Sequence, residues 1–197
     1  MNEIEVKYQL VFLPKIKKIM DANDFVFKGK YFERNIIFDT RDESLKKENR
    51  LLRLRISTKD LIHVQGILTT KTKLPNEEFK SSNEVETLIQ NPHAVLQVFK
   101  NAFEKHFEYQ KFRSEYVSKE LKVTACVDEL PIGTFLELEG TTNEDLKRVI
   151  KLFKLEKIPQ IVKSYPTLCG GKNQTYEFSY VKKAFGRKNV NEEFVWD

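Results

Sequence analysis

The chain has 197 residues, enough for one sizeable core, and its 40% hydrophobic and 32% charged content with 15 Phe excludes a disordered polymer. Its 34 basic and 29 acidic residues leave a net charge of +5, a balance that suits an anionic partner without choosing among phosphates, nucleic acid and acidic surfaces. Cys126 and Cys169 form neither a disulfide framework nor a zinc pattern, no apolar run reaches membrane-spanning length, and no signal-peptide core is present, so a reduced cytoplasmic setting is expected.

In chain order, residues 2–12 alternate and read as a strand. Pro14 suits the first turn of a helix running to about Asn23. YFERNIIFD at 31–39 is rich in aromatic and branched residues and predicts a second strand. Polar DTRDESLKKEN makes a loop, and LLRLRIS at 51–57 a third strand. Residues 62–72 and 79–88 predict two more strands across a Pro-Asn turn, and 92–104 a helix. Residues 107–117, 121–128 and 133–139 alternate well, the last two joined through Pro131 and Gly133. TTNEDLKRVIKLFKLE at 141–156 carries a cap, an acidic first turn and helical apolar spacing. The last forty residues give no clear pattern. There is no linker, repeat, Walker A loop (CGGKN at 169–173 lacks the spacing) or GxGxxG, so residues 1–197 are expected to form a single domain. The short turns predict a mainly antiparallel sheet, and eight such strands can close into a barrel.

Alternate residues of a strand face opposite sides, and the charges follow that parity. EIEVK puts Glu3, Glu5 and Lys7 on one face; later strands do the same with Arg53 and Arg55, Lys71 and Lys73, Glu84 and Glu86, Lys111, Arg113 and Glu115, Asp128, and Glu137 and Glu139. The opposite faces carry residues such as Leu52, Leu54, Val127, Leu136 and Leu138. Two architectures fit. In one, the apolar faces meet in an ordinary core and the charges face water, as general burial statistics favour. In the other, helices cover the apolar faces from outside and the charges line the barrel. A charged interior must be wet or bind something, because an unpaired buried charge costs several kcal/mol. Basic rows would hold a polyanion, and clustered carboxylates a hard divalent cation.

The ordered set of these motifs resembles the CYTH superfamily, the triphosphate tunnel metalloenzymes, from Glu3 to about Glu139. The residues that carry the resemblance are Glu3, Glu5 and Lys7 (E-x-E-x-K); IIFDT followed by LLRLRIS; LTTK ending at Lys71; Glu84 and Glu86; Lys111 and Arg113; and Asp128 with Gly133, Phe135, Glu137 and Glu139. Ser164 and Tyr165 resemble the family's C-terminal Ser-Tyr. The resemblance implies an α+β fold, an eight-stranded antiparallel tunnel barrel with helices packed outside. It implies that Glu3, Glu5, Glu137 and Glu139 hold Mg²⁺ or Mn²⁺, with Asp128 and Glu86 nearby. It implies that Lys7, Arg53, Arg55, Lys71, Lys111 and Arg113 grip triphosphate oxygens. Lys7 is a candidate for orienting the attacking water, and Glu5 for a catalytic part beside it.

The sequence departs from the family pattern at Thr72, where a glycine is common, and at Ser82, where a basic residue is common. Only Met1 and Asn2 precede Glu3, where many family cyclases carry His-Phe, which weighs against a cyclase. The expected function is metal-dependent hydrolysis of tripolyphosphate or an organic triphosphate such as thiamine triphosphate, with a small-molecule triphosphate as partner and no membrane. The alternatives are an adenylyl cyclase of the same fold and a non-catalytic polyphosphate-binding module. Nucleic-acid binding predicts an exposed basic stripe with stacking aromatics, which the parity does not give. His63, His93 and His106 have no ligand spacing, Cys126 reads as a small filler, and GRKNVNEEF at 186–194 reads as solvated surface.

Overall fold

The computed structural model describes residues 2–10, 12–76 and 78–186. Residues 187–194 of the stretch read as solvated surface lie outside the described residues, as does the side chain of His106. The elements are β1 (Asn2–Gln9), α1 (Leu13–Asp21), β2 (Val26–Asp39), α2 (Ser44–Lys47), β3 (Arg50–Thr58), β4 (Val64–Leu74) and β5 (Lys80–Ile89). They continue with α3 (Pro92–Ala102), β6 (Glu104–Ser118), β7 (Val123–Leu130), β8 (Gly133–Gly140), α4 (Asn143–Leu152), α5 (Tyr165–Leu168) and α6 (Phe178–Ala184). All strand pairs are antiparallel, and the sheet closes in the order β1-β5-β4-β3-β2-β6-β7-β8. This is the expected eight-stranded barrel with helices outside.

The second architecture is the one adopted, because the apolar core lies outside the barrel wall. Ile16 and Met20 of α1 and Leu146, Val149 and Ile150 of α4 pack with Val6, Tyr8, Val123, Ala125, Val127, Leu136 and Leu138 from the outer faces of β1, β7 and β8. Leu96 of α3 covers Ile36, Phe38, Leu52, Leu54 and Ile56 of β2 and β3. Val181 of α6 covers Phe32 and Phe112. Each such side chain contributes about 1.5–3 kcal/mol by leaving water. With that gain spent outside, the charged parity faces inward.

Local chemistry sets the element ends. The Asn91 side chain accepts from the Ala94 amide and starts α3; Thr142 does the same for α4 from Asp145. Lys154 takes a left-handed conformation after α4 (φ 57°), and the Leu155 amide bonds back to the Ile150 carbonyl. β2 begins five residues earlier than the sequence suggests: Gly29, at φ 150°, absorbs a register shift against β6, so the exposed stretch before Tyr31 continues the strand.

The segment after α4 does not form a further layer. It crosses one end of the barrel. The Ile161 amide donates to the Lys7 carbonyl, the Gln174 amide to the Glu108 carbonyl, and the Gln110 amide to the Gln174 carbonyl. Tyr165 and Cys169, with Ile161 and Leu168, pack on Phe107, Tyr109 and Phe135 and plug that end.

Candidate active site

The inward rows of the strands converge on one narrow cavity of about 70 Å³. Its lining includes seven cations: Lys7 from β1, Arg53 and Arg55 from β3, Lys71 from β4, Lys80 from β5, and Lys111 and Arg113 from β6. Glu5, Glu137, Glu139 and the Tyr165 ring complete the chemistry of the wall.

Three layers of contact fix these groups. Deepest is Asp128, which is fully buried. Arg113 donates to it through Nε and Nη2, each at 2.7 Å, Lys111 Nζ at 2.8 Å, and the Tyr165 hydroxyl at 2.9 Å. This bidentate pairing fixes the Arg113 plane. The Tyr165 ring lies under two ammonium groups, 3.9 Å from Lys7 Nζ and 5.1 Å from Lys111 Nζ. Glu137 meets Lys7 at 3.0 Å and also contacts Arg113. Burial alone would raise the Glu137 pKa, but Lys7, Arg113 and Lys111 hold it well below the usual carboxylate range.

Beneath β3 and β6 sits Glu33, 3.3 Å from Arg55 Nε and 3.5 Å from Lys111 Nζ. Burial opposes its ionisation, yet the surrounding Arg55, Lys111, Arg113 and Arg53 bring its pKa down to about 2. Asn35 accepts from Arg55 Nε at 2.9 Å. At the mouth formed by β1, β4, β5 and β8, the balance reverses. Burial, a hydrogen bond to Glu84 and the nearby Glu139 push Glu3 up to about 8. Glu84, against its own burial, falls to about 2 by receiving that bond and by contact with Lys71. Burial and the Glu137 and Glu5 charges raise Glu139 as well, against Arg113.

The site residues named from sequence therefore come together with two distinctions. Glu3, Glu5, Glu137 and Glu139 face the tunnel or its acidic mouth. Asp128, grouped with the metal carboxylates from sequence, stands behind Lys111 and Arg113 with both oxygens used by donors. Glu86 lies toward the mouth, accepting from Thr69 at 2.7 Å and Arg53 at 3.3 Å. Lys73 does not line the central cavity. Cys126 is buried at the tunnel wall, and burial pushes its thiol well up, which keeps it unreactive.

Sequence reading missed Glu33, Asn35, Lys80 and Tyr109. Their signal was parity: Glu33 and Asn35 alternate on β2 behind an intervening Arg34, and Lys80 shares a face with Glu84 and Glu86.

A divalent cation fits this donor set in one respect and not yet in another. The carboxylate oxygens are hard ligands, and burial first, then neighbouring carboxylates, disfavours ionisation of Glu3 and Glu139, a penalty that a cation would relieve. Yet no group of three or more His, Cys, Asp or Glu stands ready to hold a metal ion among the described residues. Glu3, Glu5 and Glu137 are instead engaged by Lys71, Lys80 and Lys7.

Among the described residues no helix is long and apolar enough to cross a membrane. The protein named "Putative adenylate cyclase MJ0240" from Methanocaldococcus jannaschii is 25% identical over 181 residues, 86% of this chain and 99% of that one. The PH1819 protein of Pyrococcus horikoshii OT3 superposes with a TM-score of 0.71 at 22% identity, over 85% of this chain and 97% of that one. HpAC1 from Hippeastrum, described as revealing a dominant triphosphatase activity, superposes with a TM-score of 0.61 at 19% identity, over 95% of this chain and 97% of that one. Two likenesses below 25% identity speak for the fold alone. The CYTH domain family model matches residues 1–162, and the chain belongs to that family.

Proposed function

We propose that the chain is a divalent-metal-dependent triphosphatase that hydrolyses a phosphoanhydride bond inside the tunnel. The observation that carries this reading is the convergence of seven cations on one cavity, with four of the interior carboxylates (Glu3, Glu33, Glu84 and Asp128) set behind them or at the mouth. That surface suits a chain of phosphates better than a single one. Arg53 and Arg55 offer forked donors; Arg113, its own fork spent on Asp128, offers the Nη edge that meets Glu137 and Glu139; Lys7, Lys71 and Lys111 offer point charges.

Charge balance argues for the metal. Eight carboxylates, namely Glu3, Glu5, Glu33, Glu84, Glu86, Asp128, Glu137 and Glu139, with one proton shared by the Glu3–Glu84 pair, stand against the seven cations. A triphosphate entering alone would leave the interior strongly negative. Glu3, Glu5, Glu137 and Glu139 would hold Mg²⁺ or Mn²⁺, which would offset that charge and polarise the phosphoryl oxygens. Lys7 is fixed by the Tyr165 ring, by Glu137 and by a long bond to the Lys163 carbonyl at 3.4 Å; exchanging that last bond for an attacking water would orient the water. The water oxygen forms the new P–O bond, the anhydride P–O bond breaks, and the water proton passes to Glu5. Lys111 and Arg113 offset the charge on the leaving oxygens. The triphosphatase activity described for HpAC1 agrees with this reading.

One feature favours a second reading, adenylyl cyclase. A groove of about 460 Å³ lined by Ile37, Leu51, Phe107 and Pro166 adjoins the cavity, sharing Leu51, Ser164 and Pro166 with it. It gives room for an organic group on the triphosphate, and the M. jannaschii relative bears a cyclase name.

Product identification decides between them. Purified protein with Mg²⁺ or Mn²⁺ is given tripolyphosphate, thiamine triphosphate or ATP, beside Glu137→Gln. Orthophosphate release that the variant loses is expected. Cyclic AMP with pyrophosphate from ATP would make the chain a cyclase. A folded, metal-bound protein with no product would make it a binding module.

A further inference from the structure

Lys80 lies outside the motifs that carry the family resemblance. On β5 it is the register partner of Glu5 on β1, and Glu5 is in turn the register partner of Glu139 on β8. The three residues thus form one row across three strands. Lys80 Nζ contacts Glu5 Oε1, and the Glu137 charge acts on the same ammonium. The Ser82 hydroxyl donates to Glu84 at 2.9 Å, and the cation stands two residues earlier on the same face.

Lys80 differs from the other tunnel cations in its freedom. Lys111 is 1% exposed and tied to Asp128, and Arg113 is held by three carboxylates. The Lys80 side chain is 30% exposed and lines two spaces, the central cavity and a smaller one beside Val6, Phe79 and Gln160. An ammonium on a four-carbon stem can turn between them without moving the backbone. Its present partner is a carboxylate proposed to bind the metal.

We propose that Lys80 is a tethered counter-cation: it neutralises Glu5 while the tunnel is metal-free, gives up that carboxylate to an incoming divalent cation, and then turns to the phosphate chain. Lys80 therefore competes with the metal and assists the substrate. Removing its charge should move the two affinities in opposite directions, which a merely structural lysine would not do. This inference rests on the metal-dependent reading of the tunnel.

The test measures binding, not turnover. Free Mn²⁺ is counted by electron paramagnetic resonance over the full chain without substrate, for wild type, Lys80→Met, Lys80→Gln and Lys80→Arg. Circular dichroism and melting confirm that each variant is folded. Lys80→Met and Lys80→Gln are expected to bind Mn²⁺ about tenfold tighter, since a unit charge a few ångströms from the ligand is removed. Lys80→Arg should bind no more tightly than wild type. With saturating Mn²⁺, tripolyphosphate should bind the two neutral variants about tenfold more weakly by calorimetry. If wild type binds Mn²⁺ and the neutral variants bind it equally well, the counter-cation role is overturned and the metal-dependent reading stands. If neither wild type nor variants bind Mn²⁺, both are overturned.

Discussion

Asp128 shows what a single residue does for this tunnel. It carries no exposed surface and receives four hydrogen bonds, from Lys111, Tyr165 and, twice, Arg113. Asp128→Ala would leave Lys111 and Arg113 buried beside one carboxylate fewer, and removing one partner of a buried pair costs about 3–5 kcal/mol. A lowered denaturation midpoint at unchanged m-value checks this. Glu33 carries a pH signature. Its pKa is about 2 in the folded chain, below its ordinary value of 4.5. A lowered carboxylate stabilises the fold above its unfolded pKa and loses that contribution as pH falls through the folded one. Wild type should therefore exceed Glu33→Gln in melting temperature at neutral pH, and the gap should close between pH 4.5 and 2. Melting curves across that window test it. Most of the charged wall was legible as parity, because alternate charges separated by Leu, Val or Ile have one plain reading on a strand. Glu33 was not, because Arg34 breaks the alternation; Arg34 pairs with Glu108 at 2.7 Å, outside the tunnel wall. Nor could spacing separate Asp128, behind the cations, from Glu137, among them.

At the scale of elements, helix caps and close approaches position the outer cover. Thr142→Ala removes the oxygen that accepts from the Asp145 amide and should cost about 1 kcal/mol of stability, without a comparable change in ligand affinity. Gly66 on β4 lies under the start of α3. A Cβ there would sit 2.7 Å from Pro92 Cβ and 3.0 Å from Ile89 Cβ. Gly66→Ala should destabilise by about 1–3 kcal/mol through overpacking, read as a lower melting temperature. Strands and the three longer helices were legible, since their periods differ and Pro14 and the Thr142 cap mark two of the helix starts. The segment after α4 was not. It follows neither period because it satisfies its backbone against Lys7, Glu108 and Gln110, which lie far away in the chain. Its Ser164-Tyr165 pair was visible only through family resemblance.

The whole molecule is organised around balanced interior charge, and that balance predicts a linkage. Ligands that bind the folded state alone stabilise it by about 2.7 kcal/mol at a hundredfold excess over Kd. Tripolyphosphate with Mg²⁺ should raise the melting temperature more than the sum of either alone, because each offsets the charge the other brings. Equal and additive shifts in a thermal-shift titration would contradict the coupling. The wall itself has a further consequence, for the order in which the chain can fold. Its seam joins β1 to β8, pairing Glu5 with Glu139 and Lys7 with Glu137. The first strand can pair with β5, but its second neighbour lies more than a hundred residues downstream. Until that neighbour pairs, the carboxylates and ammonium of β1 are hydrated, and the interior does not exist. Non-local closure of this kind slows folding, since the entropy of a long loop is lost before its contacts form. The ionic interior thus arises at the last step, when one seam dehydrates all its charges together, and a chain halted before β8 would hold a curved sheet with a wet, open face.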